Sequence, residues 1–481
     1  MSQPQLERKL GLYACIAIVV GSIIGSSIFM KPATMAGQVD SPMILLLVWV
    51  IAGIVSMFGG MINAEIGAMI PDTGGQYVYF RKMYGDFFAF VYGWAAFIVI
   101  NTAAIAAIAF VFAQYAEYFV QLPRFSPDIE RAVQLTIPGI GKLYLLENIG
   151  VKGLAIIILL FITWINYYSV KAGSAFQVVT TLLKVFALLV LIFFIFFSGK
   201  GNVHNFFTSS DKDVGFWVSV SGFIAAMSGA LAAFDGWNNI GFAGGETKNP
   251  DKNIPRGLFI GLFICIIIYV LTNLAFLYVL PMDQMKNSVL VASDAIAVVS
   301  GITGGGLIAL MVVISCLGAL NGNALSCARI TFAMGQQKVF SAWAGQVHPA
   351  FKTPGNALWL HGIWSCLFVL TGSFDMLADL FVFISWIFYG FAAYGIFILR
   401  KKMPDVPRPY KVWGYPVIPI IFIFFAAFYF VMTLYNDISA FLIGKTEFIN
   451  SVYGLGLTLA GIPVYYYYRK KNKPAKTAEE S

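Results

Sequence analysis

Charge is scarce in this sequence: only 11% of its 481 residues are Asp, Glu, Lys or Arg, while 59% are hydrophobic. Soluble domains carry roughly 25% charged and ~45–50% apolar residues. A soluble protein of this size has no means of covering so much apolar surface, and the bilayer must serve as its solvent. Histidine and cysteine are thin as well. His204, His348 and His361 are scattered, and Cys15, Cys265, Cys316, Cys327 and Cys366 fall in apolar runs at no CxxC or metal-ligand spacing. That pattern supports no metal centre, nucleophilic triad or cofactor site, and the cysteines read as small residues for helix packing. A membrane enzyme would want His, Asp, Glu or Cys clustered on the polar side of the bilayer. A channel would want a continuous polar pore with filter-like rings. Neither is found. A soluble domain is lacking too: the longest connections run from Gln121 to Ile149 and from Pro281 to Thr303, and the polar tail after Tyr468 reads as disordered.

What the chain does have is long apolar runs. Stretches of ~18 or more apolar residues can cross the ~30 Å hydrocarbon core as helices. About twelve occur, centred near residues 23, 56, 100, 158, 187, 230, 269, 317, 363, 388, 425 and 458. A transmembrane barrel would show short alternating segments, and runs such as Val185 to Phe197 do not alternate. The fold class expected is an all-α membrane protein. Arg8 and Lys9 precede the first run without a small-residue cleavage site after it, so that run reads as an uncleaved span. With the N-terminus inside, most of the 31 Lys and Arg face the cytoplasm, as the positive-inside rule requires. Both termini are then cytoplasmic and the chain sits in the cell membrane. The net charge of +8 reports topology and anionic headgroups, so no nucleic-acid partner is called for.

Two spans are unfit to be continuous helices. The first contains Gly21, Ser22, Gly25, Ser26 and Ser27, and each Gly in a helix interior costs ~1 kcal/mol against Ala. In lipid, an interrupted helix is tolerated where its free backbone groups face protein, water or ligand; a close-packing surface of small residues is the alternative. The sixth span contains Ala232, Phe234, Asp235, Gly236, Trp237 and Asn238. An acid in mid-membrane is by default a functional-site hypothesis, with a polar bridge between helices as the alternative. These spans open two successive five-helix halves, and interruptions at matching positions point to an inverted-repeat transporter. The expected organisation is residues 1–198 and 199–402 as the two repeats, 403–468 as two further helices, and 469–481 as a cytoplasmic tail. A half-helix beginning near Ser26 offers N–H groups and a positive dipole end to a carboxylate. Half-helices ending near Ile23 and Ala232 offer free carbonyls to an ammonium. Such a site fits an α-amino acid.

These residues also carry a resemblance. Gly21 to Phe29 (GSIIGSSIF) resembles the first-helix signature of the amino acid–polyamine–organocation superfamily. Ala64 to Phe80 resembles its second-to-third helix junction, and Phe234 to Arg256 its L-amino acid transporter branch. Lys171 to Leu188, with Gln177, Thr181 and Lys184, resembles the fifth helix of that branch. Leu320 to Gln337 and Val347 to Pro354 are similar to bacterial serine/threonine exchangers. The resemblance implies a secondary transporter of small neutral L-amino acids, an exchanger or uniporter-like carrier. A proton-coupled symporter, or a carrier of cationic amino acids or polyamines, is the alternative. It places the substrate carboxylate at Ile24, Gly25, Ser26 and Ser27, the ammonium at carbonyls of Ile23, Ala232 and Asp235, and Gly236, Trp237 and Asn238 along the wall. Lys184 falls where sodium sits in related carriers, a place from which a fixed ammonium would bridge the first and eighth helices, and it is the expected coupling residue. Two departures stand out: Ser27 replaces a glycine, and Ala232 replaces the aromatic gate, with Phe234 a potential substitute. Glu65 is expected to pair with Arg81 or Arg329 in preference to a coupling role, and Asn321 and Asn323 either to hydrogen-bond Lys184 or the substrate or to pack between helices. Animal relatives join a single-span glycoprotein through a cysteine in the external loop between helices three and four; Gln121 to Ile149 has none, so no disulfide-linked accessory subunit is expected.

Overall fold

The structure, a computed structural model, describes residues 10–70, 75–168, 170–207, 215–240 and 247–471, the side chains of 170–179 and 181 excepted. Arg8, Lys9, positions 71–74 and 241–246 of the motifs, the side chains of Lys171, Gln177 and Thr181, and the tail from 472 lie outside the described residues. Each of the twelve apolar centres falls on helix. In chain order these helices are α1 (Leu12–Ile23), α2 (Lys31–Ala36), α3 (Pro42–Met69), α4 (Gly75–Tyr84), α5 (Asp86–Ala116), α6 (Ile149–Tyr168), α7 (Val170–Phe197), α8 (Phe216–Phe234), α9 (Pro250–Val279), α10 (Val291–Gln336), α11 (Gly355–Thr371), α12 (Phe374–Lys402), α13 (Val417–Leu442), α14 (Asn450–Leu459) and α15 (Gly461–Lys471). Among the described residues, eight are long and apolar enough to cross a membrane, α8 being counted with the turn that follows it to Ile240. The other expected spans are helical but broken or short: α1 with α2, α7 with its described apolar part Leu182–Phe197, the 17-residue α11, and α14 with α15.

Outside the apolar runs, propensity and water decide. The connection expected at Gln121 to Ile149 holds a short helix, Pro127–Ala132, and an antiparallel hairpin, Gln134–Ile137 with Gly141–Tyr144. This is a departure from a purely helical chain. The hairpin is tied to the turn between α13 and α14, Lys142 N donating to Glu447 O (2.9 Å) and Ile449 N to Ile140 O (2.9 Å). The connection from Pro281 to Thr303 is largely helical, with Gly301 (φ 74°) breaking α10 near its start.

Packing follows close approach. Glycines let α1 lie against α9: a Cβ on Gly257 would come within 2.6 Å of Cys15 Cβ, and one on Gly261 within 2.7 Å of Val19. Small residues at i and i+4 allow such backbone proximity in membranes, and Cys15 serves as one of them. The helix pairs also have a pattern. α1 packs on α9 as α8 packs on α3; α7 packs on α10 as α12 packs on α5; α5 on α6 has its counterpart in α10 on α11; and α3–α9, α5–α10 and α6–α11 pair directly. Exchanging the first five expected spans for the second five leaves these pairings unchanged.

Glu65, at the end of α3, is fully buried. Its partner is neither Arg81, which pairs with Asp86 on the surface (2.6 Å), nor Arg329. Arg400 at the end of α12 binds it bidentately (2.9 and 2.8 Å), and Val412 N donates to it (2.6 Å). The Arg400 guanidinium lies 3.5 Å from the Tyr415 ring centre, a cation–π contact. Stripping one partner from a buried pair costs about 3–5 kcal/mol, whereas replacing both is far milder. Arg400→Ala is therefore expected to lower the Tm in detergent by several degrees, with Glu65→Leu/Arg400→Met recovering most of the loss.

Candidate functional site

The two weak helices do break, and the breaks touch. α1 ends at Ile23; Ile24 is extended (φ −67°, ψ 96°), and a single 3-10 turn, Ser27–Phe29, leads to α2. α8 ends at Phe234, Asp235 is extended (ψ 150°), and Gly236 takes φ +114° before a 3-10 turn over 237–240. Glycine is required at 236 twice over. Its φ lies where side chains are disfavoured, and a Cβ there would sit 2.6 Å from the Ser22 carbonyl oxygen.

Each carbonyl freed by the breaks must find a donor, since no water reaches it from lipid. Lys184 Nζ donates to Gly21 O (2.6 Å) and Tyr115 Oη to Phe29 O (2.8 Å). Tyr269 Oη lies between Ile23 O (2.8 Å) and Ala233 O (2.9 Å), its one proton shared between the two interruptions. Ile23 O, expected to be open for an ammonium, thus already accepts one bond; a carbonyl has a second lone pair to offer.

The breaks face a cavity of about 320 Å³, at the small end of ligand pockets at ~300–1,000 Å³. Of the residues singled out from the sequence, Ile23, Gly25, Ser26, Ser27, Ala232, Asp235, Gly236, Asn238 and Lys184 line it. Ile24, Phe234 and Trp237 do not. Phe234 is fully buried, packed on Tyr269 (4.9 Å between ring centres) and Trp49 (6.1 Å). It lies about 200° around the helix from Ala232 and cannot cover the cavity as a gate. Trp237 packs on Tyr389 at 4.8 Å. Among the described lining residues, Lys184 and Asp235 carry the only charges. Asp235 Oδ1 accepts from Tyr389 Oη (2.6 Å), and Tyr389 Oη accepts from Asn238 Nδ2 (3.2 Å). Lys184 reaches the first helix as expected. Asn323 is on the wall with its Nδ2 donating to Ala319 O (2.9 Å), while Asn321 is buried off the wall.

Several wall residues had no signal in the sequence. Asn101 follows a π turn over Ala96–Ile100, a feature often found at functional sites; Trp364 donates to the widened turn at Ile98 O (2.8 Å). Tyr389 and Phe381 come from α12, and Gln76 from α4 is buried with neither carboxamide atom bonded to protein. No group of His, Cys, Asp or Glu able to hold a metal occurs among the described residues.

Two substitutions probe this geometry. Gly236→Ala forces the crossing apart and should abolish substrate binding by isothermal titration while the helical circular dichroism persists. Tyr389→Phe removes the donor to Asp235; hydrogen bonds to charged groups contribute about 1.5–3 kcal/mol, so a ~10–100-fold loss of transport at little cost in Tm is expected.

A model of the amino acid permease family matches residues 10–456. The serine/threonine exchanger SteT of Bacillus subtilis (strain 168) is 33% identical over 474 residues, 97% of this chain and 98% of that protein. The b(0,+)-type amino acid transporter 1 of Mus musculus is 31% identical over 428 residues, 88% of this chain and 82% of its own length. The large neutral amino acids transporter small subunit 2 of Homo sapiens is 30% identical over 485 residues, 97% and 82% of the two chains. A match running nearly end to end, on a bundle whose two broken helices enclose a small charge-balanced cavity, makes this chain a member of the amino acid permease family, a multi-pass membrane transporter of amino acids and not an enzyme.

Proposed function

We propose that the chain exchanges small neutral L-amino acids, of the size of serine, threonine or alanine, by alternating access about the crossing of α1 and α8. The observation that carries this reading is the charge of the cavity: one ammonium, Lys184, and one carboxylate, Asp235, on a wall mostly of small and carboxamide side chains with isoleucines and the rings of Tyr92, Phe381 and Tyr389. A zwitterion fits such a wall; a cationic amino acid or polyamine would want an acid free to receive it, and Asp235 is held by Tyr389. The substrate carboxylate meets the backbone N–H groups at Gly25 to Ser27, and the ammonium meets the carbonyls of Ile23, Ala232 and Asp235. Lys184, fixed on Gly21 O, takes the place of a coupling cation and disfavours sodium. Residues 1–198 and 199–402 act as the two repeats, five spans each, so that the second half runs opposite to the first. Residues 403–468 are added helices. The exchange-invariant helix pairing supports this division, and the lysine and arginine distribution supports cytoplasmic termini.

The relative named a small subunit belongs by that name to a larger assembly. In this chain, four of the five cysteines are buried and the fifth is half-buried, all on helices, and Gln121 to Ile149 has none. No disulfide-linked partner is proposed, so the chain should migrate as one species on reducing and non-reducing gels alike.

Uptake of labelled serine, threonine, valine, phenylalanine and arginine into proteoliposomes tests the main reading. Serine and threonine uptake is expected to need unlabelled amino acid inside and to ignore imposed proton and sodium gradients, with threonine preferred to its isostere valine. Proton-driven uptake into empty vesicles, lost in Lys184→Ala, would establish symport in its place.

A further inference from the structure

α5 is not one continuous α-helix. Between Asp86–Ala95 and Asn101–Ala116 lies the π turn over Ala96–Ile100, where Asn101 N donates to Ala96 O, five residues back. Helices are distorted by Pro, by Gly/Ser pairs, or by a side chain that enters the hydrogen-bond ladder. The turn reads Ala-Phe-Ile-Val-Ile, so the first two causes are absent. It is held from the side instead. Trp364 Nε1 on α11 donates to Ile98 O (2.8 Å), and Thr102 Oγ1, fully buried, donates to Phe97 O (2.9 Å). The Phe97 ring lies against α11 as well, 5.1 Å from the His361 ring and 6.3 Å from that of Trp364. A carbonyl displaced from the α ladder inside a membrane needs another donor, and these two side chains supply one each.

The consequence is one of register. An α-helix turns about 100° per residue. A π turn holds roughly one residue more than an α turn, so everything after it is rotated by about 100°. Tyr92, before the turn, is on the cavity wall. In an unbroken α-helix the same face would next carry Val99, Ala103, Ala106 and Phe110, each within ~40° of Tyr92, and Asn101 would point about 180° away. The wall instead carries Ile100, Asn101, Ala104, Ala107 and Ile108, while Val99, Ala103, Ala106 and Phe110 are buried off it. One extra residue in the turn reproduces that set, bringing all five within roughly 80° of Tyr92. The shift keeps a phenylalanine out of the cavity and puts a carboxamide on its wall.

Resting on the transport reading above, we propose that Trp364 and Thr102 are positioning residues for substrate selectivity. By bracing the π turn, they set which residues of α5 meet the substrate side chain: Asn101 and Ala104 in place of Ala103 and Phe110. Neither brace lines the cavity itself. With the brace in place, the wall offers room and a polar group to a hydroxyl-bearing side chain. Without it, the turn relaxes toward α geometry, where the standard ladder satisfies its carbonyls, and the carboxamide rotates off the wall. Selectivity is then governed from α11, a helix that stands behind α5 rather than in the site.

Cysteine accessibility reads the register directly. The full chain carrying Cys327→Ala, which clears the described wall of its native thiol, receives one further change and is labelled in proteoliposomes with a small charged thiol reagent, quantified by peptide mass spectrometry. Asn101→Cys and Ala104→Cys should react; Ala103→Cys and Ala106→Cys should not. Adding Trp364→Phe, which keeps a ring and removes the N–H, should lower the labelling of position 101 relative to 103 about three- to tenfold, the scale of one lost hydrogen bond. Thr102→Val should move the ratio the same way and serves alone should Trp364→Phe fail to accumulate. With Asn101 native, Trp364→Phe should raise the KM for serine relative to that for valine by a similar factor and leave kcat little changed. Deleting Ile98 reduces the π turn to an α turn with both flanks in register, so in that background Trp364→Phe should leave the labelling ratio unmoved. A ratio that neither substitution shifts in folded protein, or a loss of transport without a shift, overturns the proposal. Labelling needs no substrate; protection of Ala104→Cys by serine tests the transport reading separately.

Discussion

In hydrocarbon, an unpaired carbonyl costs several kcal/mol, and a helix that stops in mid-membrane leaves a run of them. The bundle is arranged around that liability at the point where Gly236 meets the backbone of Ser22. Because the two interruptions are in contact, one hydroxyl, Tyr269 Oη, serves a carbonyl on each. Gly21 O and Phe29 O are served by Lys184 and Tyr115 from two other helices. The turn at Gly25 to Ser27 and the end of α8 face the cavity, with Ser26 O and Ser27 O accepting from Phe29 N and Met30 N (3.1 and 3.2 Å).

The pairing of helices bears on how such a site is opened from two sides. Exchange of the two sets of five spans maps α1 on α9 to α8 on α3, and α7 on α10 to α12 on α5. On the proposed reading, packing that is self-similar in this way gives two closures of similar form, one at each end of the cavity. Their chemistry nonetheless differs. At one end, the partly exposed Asp375 and Asp379 share the buried Lys31; at the α3 end, Glu65 is held bidentately by Arg400 with its exposure at zero. The first keeps its acids partly exposed and the second buries its acid fully, so on the proposed reading the two ends should not open with equal ease.

Hydropathy made the helices legible, because in lipid each span must satisfy its own backbone and long apolar runs have few other solutions. The breaks were legible for the same reason: Gly, Ser and Asp in mid-span are costly without a purpose. The partners that stabilise the breaks were not. Tyr269 and Tyr389 sit in apolar runs where any aromatic would read the same, and Tyr389 reaches Asp235 across 154 positions. Glu65 finds Arg400 across 335 positions, past both Arg81 and Arg329. Phe234 was misjudged because a position two residues along is close in sequence and opposite on a helix. Phe381 gave no signal because its place on the wall depends on which face of α12 meets the cavity.

The same physics bears on why this carrier should exchange rather than leak. On the proposed reading, an amino acid brings an ammonium and a carboxylate to the backbone groups at the crossing. In the open cavity, water performs that service. When the cavity closes empty, most of this water must leave, and the groups at Gly25 to Ser27 and at Asp235 lose their partners in a low dielectric. Lys184 and Asp235 then also face each other's field across a dry wall, each bonded to protein but neither compensated by a ligand. Closing over a zwitterion supplies what closing over nothing removes. On the proposed reading, the loaded carrier crosses readily and the empty one slowly, and coupled counter-movement follows from the backbone groups that the broken helices leave unpaired.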